Sequence, residues 1–206
     1  MISVDIRSKS FGSYPVLGPI RFQIGAGDVL GISGSSGVGK STLLRLLAGL
    51  DPRFEGRICA PQSRAMVFQS PTLMPWRKVI DNITIPTHCR RDEALAMLER
   101  VGLGDKAESW PGQLSLGQAR RVAIARAFVG RPAMLLLDEP FASLDTARVG
   151  DLLELTKALI TEFRPAVVLA SHSETELAAL ATERMVMQGT PAQLYPLAGT
   201  RVCAGS

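Results

Sequence analysis

The sequence predicts an α/β fold in which helices cover a mostly parallel β-sheet. Two continuous apolar runs, at 133–137 and 166–170, are typical of strands that are buried on both faces of a sheet. The intervening stretch 146–163 carries leucines at helical spacing on one stripe, which predicts a helix between the two strands. Because strands that alternate with helices are most simply joined in a parallel sheet, this order favours the α/β class.

Residues 1–33 predict a separate layer of short antiparallel strands. Apolar and polar residues alternate at 2–7, as expected of a half-buried strand, and glycines and prolines then break the chain into tight turns. The alternation does not resemble the apolar core of a signal peptide. No apolar run approaches the roughly 18 residues of a membrane span, so we expect any membrane role to depend on a partner.

The remaining elements follow from shorter patterns. They are strands at 28–33 and 64–68 and helices at 40–48, 91–101 and 118–129. The stretches 51–61 and 71–86 are rich in turn residues and prolines, and no helix or strand is predicted there. Sites in parallel sheets lie at the carboxyl ends of the strands, which directs attention to the residues that follow each predicted strand.

Composition limits the class of protein. The chain has 206 residues, 46% of them hydrophobic, which is enough for one α/β domain with a core and a small appended subdomain. Its net charge is +4, but the basic residues are scattered, so nucleic acid is not the favoured partner. The cysteines are odd in number and lack metal-ligand spacing, which predicts reduced thiols of a cytosolic protein at Cys59, Cys89 and Cys203.

Residues 34–41 match the phosphate-binding loop pattern G-x-x-x-x-G-K-[ST]. Its glycines let successive N–H groups turn inward into an anion nest, and the following helix adds a positive dipole end. Lys40 can then reach the β and γ phosphates, while the Ser41 hydroxyl can bind Mg²⁺. The loop therefore predicts a nucleoside triphosphate site on a P-loop NTPase (RecA-like) core. The predicted nucleotide contacts in the loop are Gly34, Ser35, Ser36, Gly37, Val38, Gly39, Lys40, Ser41 and Thr42.

Two acidic residues end the apolar run at 133–137. Asp138 suits Mg²⁺ beside the phosphate loop, bound directly or through water. Glu139 is then free to orient or deprotonate the attacking water, a contribution typically worth about 10²–10⁴-fold in rate. We therefore predict Asp138 as a metal ligand and Glu139 as a catalytic residue.

Leu114-Ser-Leu-Gly-Gln118 resembles the LSGGQ signature of ATP-binding cassette (ABC) ATPases, and other motifs of that family follow in order. Phe11 resembles the aromatic residue that stacks on adenine, although Tyr14 competes for the role. Gln69 is similar to the glutamine that contacts Mg²⁺ and water. Asp145 resembles the D-loop aspartate, and His172 the switch histidine that contacts the γ-phosphate and completes the catalytic set.

The resemblance implies a dimeric active form, which we expect to be a homodimer. In that family two subunits pack head to tail, so that each nucleotide lies between one phosphate loop and the partner's signature. The residues that would act in trans are Ser115, Leu116, Gly117 and Gln118. A hydroxyl and free N–H groups at a helix start suit a γ-phosphate.

The chain departs from the family pattern in four places. Leu116 replaces the first signature glycine, Arg120 replaces a common glutamine, and Ser173 follows the histidine where an acid is frequent. The chain also ends soon after, from which we expect no added regulatory domain. Since the Leu116 Cβ resists a positive φ and crowds the phosphate approach, slow turnover or an asymmetric partner is an open alternative.

The stretch 69–82 resembles that of importer ATPases of the nitrate, sulfonate and taurine type. Leu73, Met74 and Trp76 would offer a notch to an integral membrane permease, although core packing of these residues is an equal alternative. This implies an ATPase subunit on the cytoplasmic face of the membrane, with a solute-binding protein as an indirect partner. An exporter or lipoprotein-release complex, a nucleic-acid clamp and a P-loop kinase remain alternatives.

The predicted organisation is a single ABC ATPase domain over 1–206. Its catalytic core would comprise 1–70 and 130–206. The stretch 71–129 would form a small helical subdomain that carries the signature.

Overall fold

The computed structural model describes residues 1–143 and 146–197, which form two compact units. The first unit takes in Met1–Met66, Ala133–Glu139 and the chain from Arg164 onward; the second takes in Val67–Pro132 and Pro140–Phe163. The division into a catalytic core and a helical subdomain stays a prediction.

The first unit is built on a twisted sheet. Its strands within the described residues are β1 Ile2–Phe11, β2 Tyr14–Leu17, β3 Ile20–Ile24, β4 Val29–Ser33, β5 Glu55–Cys59, β6 Arg64–Val67, β7 Met134–Asp138, β8 Ala166–Ala170, β9 Glu183–Gly189 and β10 Ala192–Pro196. The order is β3-β1-β2-β10-β9-β4-β8-β7-β6, and β5 pairs with β1. The helices of this unit are α1 Lys40–Leu47 and α6 Glu174–Leu180.

Parallel strands form the centre of this sheet. β4 lies between β8 and β9, β7 pairs with β8, and all three pairings are parallel. The residues of β7 and β8 are buried throughout, as the continuous apolar runs predicted. One edge is an antiparallel layer in which β1 pairs with β2, β3 and β5. The predicted α/β class, with an antiparallel layer before the phosphate loop, is therefore confirmed.

The second unit is helical. It contains α2 Asp81–Thr87, α3 Arg91–Arg100, α4 Leu116–Val129 and α5 Thr146–Phe163. The apolar face predicted for α3 is buried, with Ala94, Met97 and Leu98 in the interior. Helix α4 begins two residues before the predicted start because Ser115 caps it. Among the described residues, no helix has the length and apolar character to cross a membrane.

Several elements of the fold, α6 among them, were not predicted. β5 lies within the turn-rich stretch 51–61, and α2 lies in the proline-punctuated stretch, with Pro86 inside it. After α6 the chain forms an antiparallel pair of strands, β9 and β10. For β5 and α2 the local sequence carried turn residues, and pairing with β1 or packing against α4 determined the structure.

Candidate active site

The phosphate loop joins β4 to α1 in the first unit. Gly34, Gly37 and Gly39 have φ angles of 151°, 77° and 122°, a region that favours glycine. Space is also restricted, because a Cβ at Gly34 would lie 2.6 Å from the carbonyl oxygen of Met187. The loop therefore has the backbone conformation that an anion nest requires.

Lys40 begins α1 and is buried with its ammonium folded back over the loop. Its Nζ donates to the carbonyl oxygens of Gly34 at 2.7 Å and Ser35 at 3.0 Å, and lies 3.6 Å from Glu139 Oε1. These partners hold a positive charge at the mouth of the nest. Burial of the Lys40 stem leaves few alternative positions for the ammonium.

Ser41 and Asp138 meet at the carboxyl end of β7. Ser41 Oγ donates to Asp138 Oδ1 at 3.0 Å. Burial raises the pKa of the Asp138 carboxyl above its usual value, and the hydrogen bond from Ser41 partly offsets this. A hydroxyl and a buried carboxylate are hard oxygen ligands, and a cation would stabilise the charge that burial disfavours. The two residues fit the predicted Mg²⁺ site.

Glu139 occupies a strained position directly after β7. Its φ is 46°, in the left-handed region, and its N–H donates to the Ala170 carbonyl oxygen at 2.9 Å. Its carboxylate lies between two basic side chains, because Oε2 is 3.4 Å from His172 Nδ1 and Oε1 faces Lys40. The parallel pairing of β7 with β8 explains this arrangement, since both strands end at the same edge.

The hydrogen bonds around His172 were missed by sequence reasoning. Ser171 Oγ donates to Glu176 Oε2 at 2.5 Å and accepts from the Ser173 N–H at 3.0 Å. The Glu176 N–H in turn donates to Ser173 Oγ at 3.4 Å. This network fixes the turn that presents His172. The run from Ser173 to Glu176 matches a capping-box pattern and was the available signal.

A cavity of about 430 Å³ lies beside the phosphate loop. It is lined on one side by 35–38 and on the other by Tyr14, Pro15 and Val16. Tyr14 pairs with Phe11 across the β1–β2 hairpin, and both side chains are exposed. The structure thus brings both candidate aromatic residues to the phosphate-loop end of the unit, and the choice between them stays open.

The signature segment starts α4 in the second unit. Gln118 N–H donates to Ser115 Oγ at 3.3 Å, and Ser115 N–H donates to Gln118 Oε1 at 2.9 Å, so the helix is capped by its own side chains. Ser115, Gly117 and Gln118 line a cavity of about 250 Å³. Leu116 is the first helical residue and is not among the residues with positive φ. The Leu116 Cβ therefore meets no positive φ in this structure, because a helical φ suits any side chain.

Comparison with known proteins agrees with this geometry. A family model for the ABC transporter matches residues 17–142. The aliphatic sulfonates import ATP-binding protein SsuB 2 of Frankia alni is 44% identical over 91% of this chain and 78% of its own length. The chain belongs to the ABC transporter family. A second similar protein, SsuB 2 of Paracoccus denitrificans, is 41% identical over 96% of the chain and 82% of its own length.

Solved structures support the ABC assignment. A dimeric ATP-binding cassette in a post-hydrolysis state, bound to ADP and Pi, matches with a TM-score of 0.82 and 26% identity. The match covers 97% of this chain and 100% of the other. The predicted family, the P-loop α/β fold and the ABC-type ATPase activity are confirmed.

The individual roles of the site residues in the ABC pattern stay predictions. Gln69 belongs to the second unit, where its carbonyl oxygen accepts from Arg120 Nη2 at 3.4 Å. Asp145 lies outside the described residues, as does Cys203. The residue roles at Lys40, Ser41, Asp138, Glu139 and His172 fit the geometry, which brings these five side chains together.

Proposed function

We propose that this chain is the ATP-hydrolysing subunit of a bacterial ABC importer, in which two copies close on ATP and drive a membrane permease. The hydrogen bond from Ser41 to Asp138 carries the proposal, because it joins the loop that would hold the phosphates to the acids that would act on them. The relatives named above are import ATP-binding proteins, which supports import over export.

The reaction we propose uses residues that already contact one another. The nest and Lys40 bind the β and γ phosphates, and the ammonium exchanges its loop carbonyls for phosphate oxygens. Mg²⁺ held by Ser41 and Asp138 would neutralise charge on those oxygens. Glu139 accepts a proton from the attacking water, and His172 donates to the γ-phosphate. The left-handed φ of Glu139 directs its carboxylate toward Lys40 and His172.

We propose that the signature acts across a homodimer. The Ser115 hydroxyl accepts one hydrogen bond within its own helix and keeps its proton for a γ-phosphate oxygen of the partner's nucleotide. The dimeric ADP-bound neighbour supports this assembly.

The permease would dock on the turn before α2. Trp76 is 70% exposed, and Leu73 and Met74 are half-buried. The buried Asn82 side chain fixes this turn, since it accepts from the Met74 N–H at 2.6 Å and donates to the Met74 carbonyl oxygen at 3.2 Å. A rigid turn that exposes a large apolar side chain suits a partner better than water. The chain would then lie on the cytoplasmic face of the membrane.

The decisive experiment is co-expression with the permease and solute-binding protein from the same gene cluster. We expect the chain to co-purify with the permease, and an alkyl sulfonate delivered by the binding protein to stimulate ATP hydrolysis. The Trp76→Ala variant should no longer be found in the membrane fraction. The control variant Trp110→Ala, at another exposed tryptophan of the second unit, should still associate with it.

Two results would contradict the proposal. If the two tryptophan variants associate equally with the membrane fraction, the turn before α2 is not the docking site. Salt-sensitive binding to DNA or RNA, without membrane association, would favour the nucleic-acid clamp.

A further inference from the structure

The end of β1 buries an ammonium against an aromatic ring. Lys9 is 1% exposed, and its Nζ donates to Asp51 Oδ2 and to the Arg53 carbonyl oxygen, each at 2.6 Å. The same Nζ lies 4.4 Å from the centroid of the Phe11 ring. Oxygen acceptors and a π face therefore surround this charge together, and all belong to the first unit.

Two irregularities in β1 turn Lys9 inward. Strict alternation along the strand would place Lys9 on the same face as Ser3, Asp5 and Arg7, which are half-buried or exposed. The register of β1 shifts between Ile6 and Ser8 against β5, and between Lys9 and Ser10 against β2. Such irregularities re-aim side chains and are common beside functional sites.

Burial of this charge depends on its partners. An unpaired ammonium inside a protein is strongly unfavourable, so Asp51 and the Arg53 carbonyl oxygen must stay in place. The hydrogen bond from Lys9 lowers the pKa of the Asp51 carboxyl, which favours the charged carboxylate. A backbone hydrogen bond also holds the Asp51 carboxylate, because its Oδ1 accepts from the Arg53 N–H at 3.0 Å. The ammonium therefore occupies a defined position beside the ring.

We propose that Lys9 is a positioning residue for the nucleotide base. Its ammonium fixes the Phe11 ring, while 49% of the Phe11 side chain stays exposed for stacking on adenine. Attraction between the cation and the ring face holds the ring in one orientation, so less conformational freedom is lost when the base stacks. The proposal rests on the proposed adenine contact of Phe11.

In this role Lys9 affects binding of the base and not binding of the phosphates. Lys9 contacts the ring and the 51–53 turn, whereas the phosphate nest is formed by 34–41. A change at Lys9 should therefore affect a ligand that carries adenine and spare one that has only phosphates.

A double-mutant cycle tests the proposal with two ligands, ATP and inorganic tripolyphosphate, both titrated calorimetrically with Mg²⁺. Lys9→Met should weaken ATP binding about 3- to 10-fold, and Phe11→Ala about 5- to 100-fold. The double variant should match Phe11→Ala, because Lys9 acts through the ring. Tripolyphosphate should bind equally to all four proteins. Lys157→Met, the same charge change at an exposed position of α5, should leave the affinity for both ligands unchanged.

Each alternative result has a distinct meaning. The positioning role would be overturned if the losses of ATP affinity in the two single variants add up in the double variant. It would also be overturned if Lys9→Met lowers the affinity for ATP and for tripolyphosphate equally. If Phe11→Ala leaves ATP affinity unchanged while Tyr14→Ala lowers it, Phe11 is not the base contact and Lys9 has no ring to position. The ATPase proposal would survive that outcome.

A second variant covers the case in which Lys9→Met fails to fold. Asp51→Asn keeps the ammonium but weakens its anchor, and it should lower the ratio of ATP affinity to tripolyphosphate affinity in the same direction. An unchanged ratio in a folded Asp51→Asn protein would overturn the proposal.

Discussion

The phosphate-loop region and the signature segment differ in how complete each is by itself. In the first, Lys40, Ser41, Asp138 and Glu139 already contact one another and are largely buried. In the second, Ser115 and Gln118 satisfy each other across the helix start, and the neighbouring Leu116 side chain is 44% exposed. The first region has the charges and the nest to bind a nucleotide alone, whereas the second would act on a nucleotide that another subunit brings.

This difference predicts that nucleotide binding and turnover separate. Variants in the phosphate-loop region should change ligand affinity or chemistry within one subunit. Variants in the signature should leave the affinity of a single subunit intact and alter the hydrolysis that follows dimerisation.

The largest effect on nucleotide binding is expected from Lys40→Ala. The substitution removes the buried charge that would contact the β and γ phosphates, and hydrogen bonds to charged groups are the stronger kind, so ATP affinity should fall at least about 100-fold. Equilibrium titration with a fluorescent ATP analogue measures the change. Lys157→Ala on the exposed side of α5 is the control, and an undiminished affinity for Lys40→Ala would remove the case for the nest.

Glu139→Gln should leave ATP affinity near that of the unaltered protein but lower hydrolysis about 10²–10⁴-fold. The amide keeps the shape of the side chain and loses the ability to accept a proton. ATP-bound dimers should then accumulate and elute earlier in size-exclusion chromatography. Hydrolysis at the unaltered rate would show that Glu139 is not the base, and the His172 and Lys40 contacts would need another explanation.

The parts of this site that the sequence predicted are those with local signals. The glycine spacing of the loop defines the nest, and apolar runs define β7 and β8 with their following residues. The contact between Glu139 and His172 could not be predicted, because it depends on the parallel register that places Asp138 beside Ala170. The φ of Glu139 also follows from its neighbours, since glutamate has no preference for the left-handed region.

Elsewhere, distant contacts overrode local composition. β5 carries Gly56 at a φ of 132°, where β1 approaches closely, and only the pairing with β1 makes this stretch a strand. α2 contains Pro86 in its final turn, so local sequence preference does not explain the helix. It depends on packing against α4 and on the buried Asn82. Neither partner is visible in a local window of the sequence.

Ser115→Ala tests the signature side of the comparison. A single subunit should bind ATP as before, while hydrolysis should fall about 10-fold or more, because the hydroxyl would no longer reach the partner's γ-phosphate. Loss of the helix cap should also cost about 1 kcal/mol of stability.

Ser115→Asp separates the two causes. Aspartate keeps the N-cap but brings a negative charge toward a phosphate, so stability should recover and hydrolysis should not. If both variants hydrolyse ATP normally in the dimer, the signature does not act in trans.

Leu116→Gly is expected to have the smallest effect and concerns the residue where this chain departs from its family. Because Leu116 already has a helical φ, the glycine relieves no backbone strain and should destabilise the helix start by up to about 1 kcal/mol. Removal of the exposed side chain should nevertheless open the approach to the Ser115 hydroxyl and raise the turnover of the dimer. Thermal unfolding measures the first effect and steady-state hydrolysis the second. If turnover falls together with stability, Leu116 itself packs against the partner, and the departure from glycine contributes to the dimer interface.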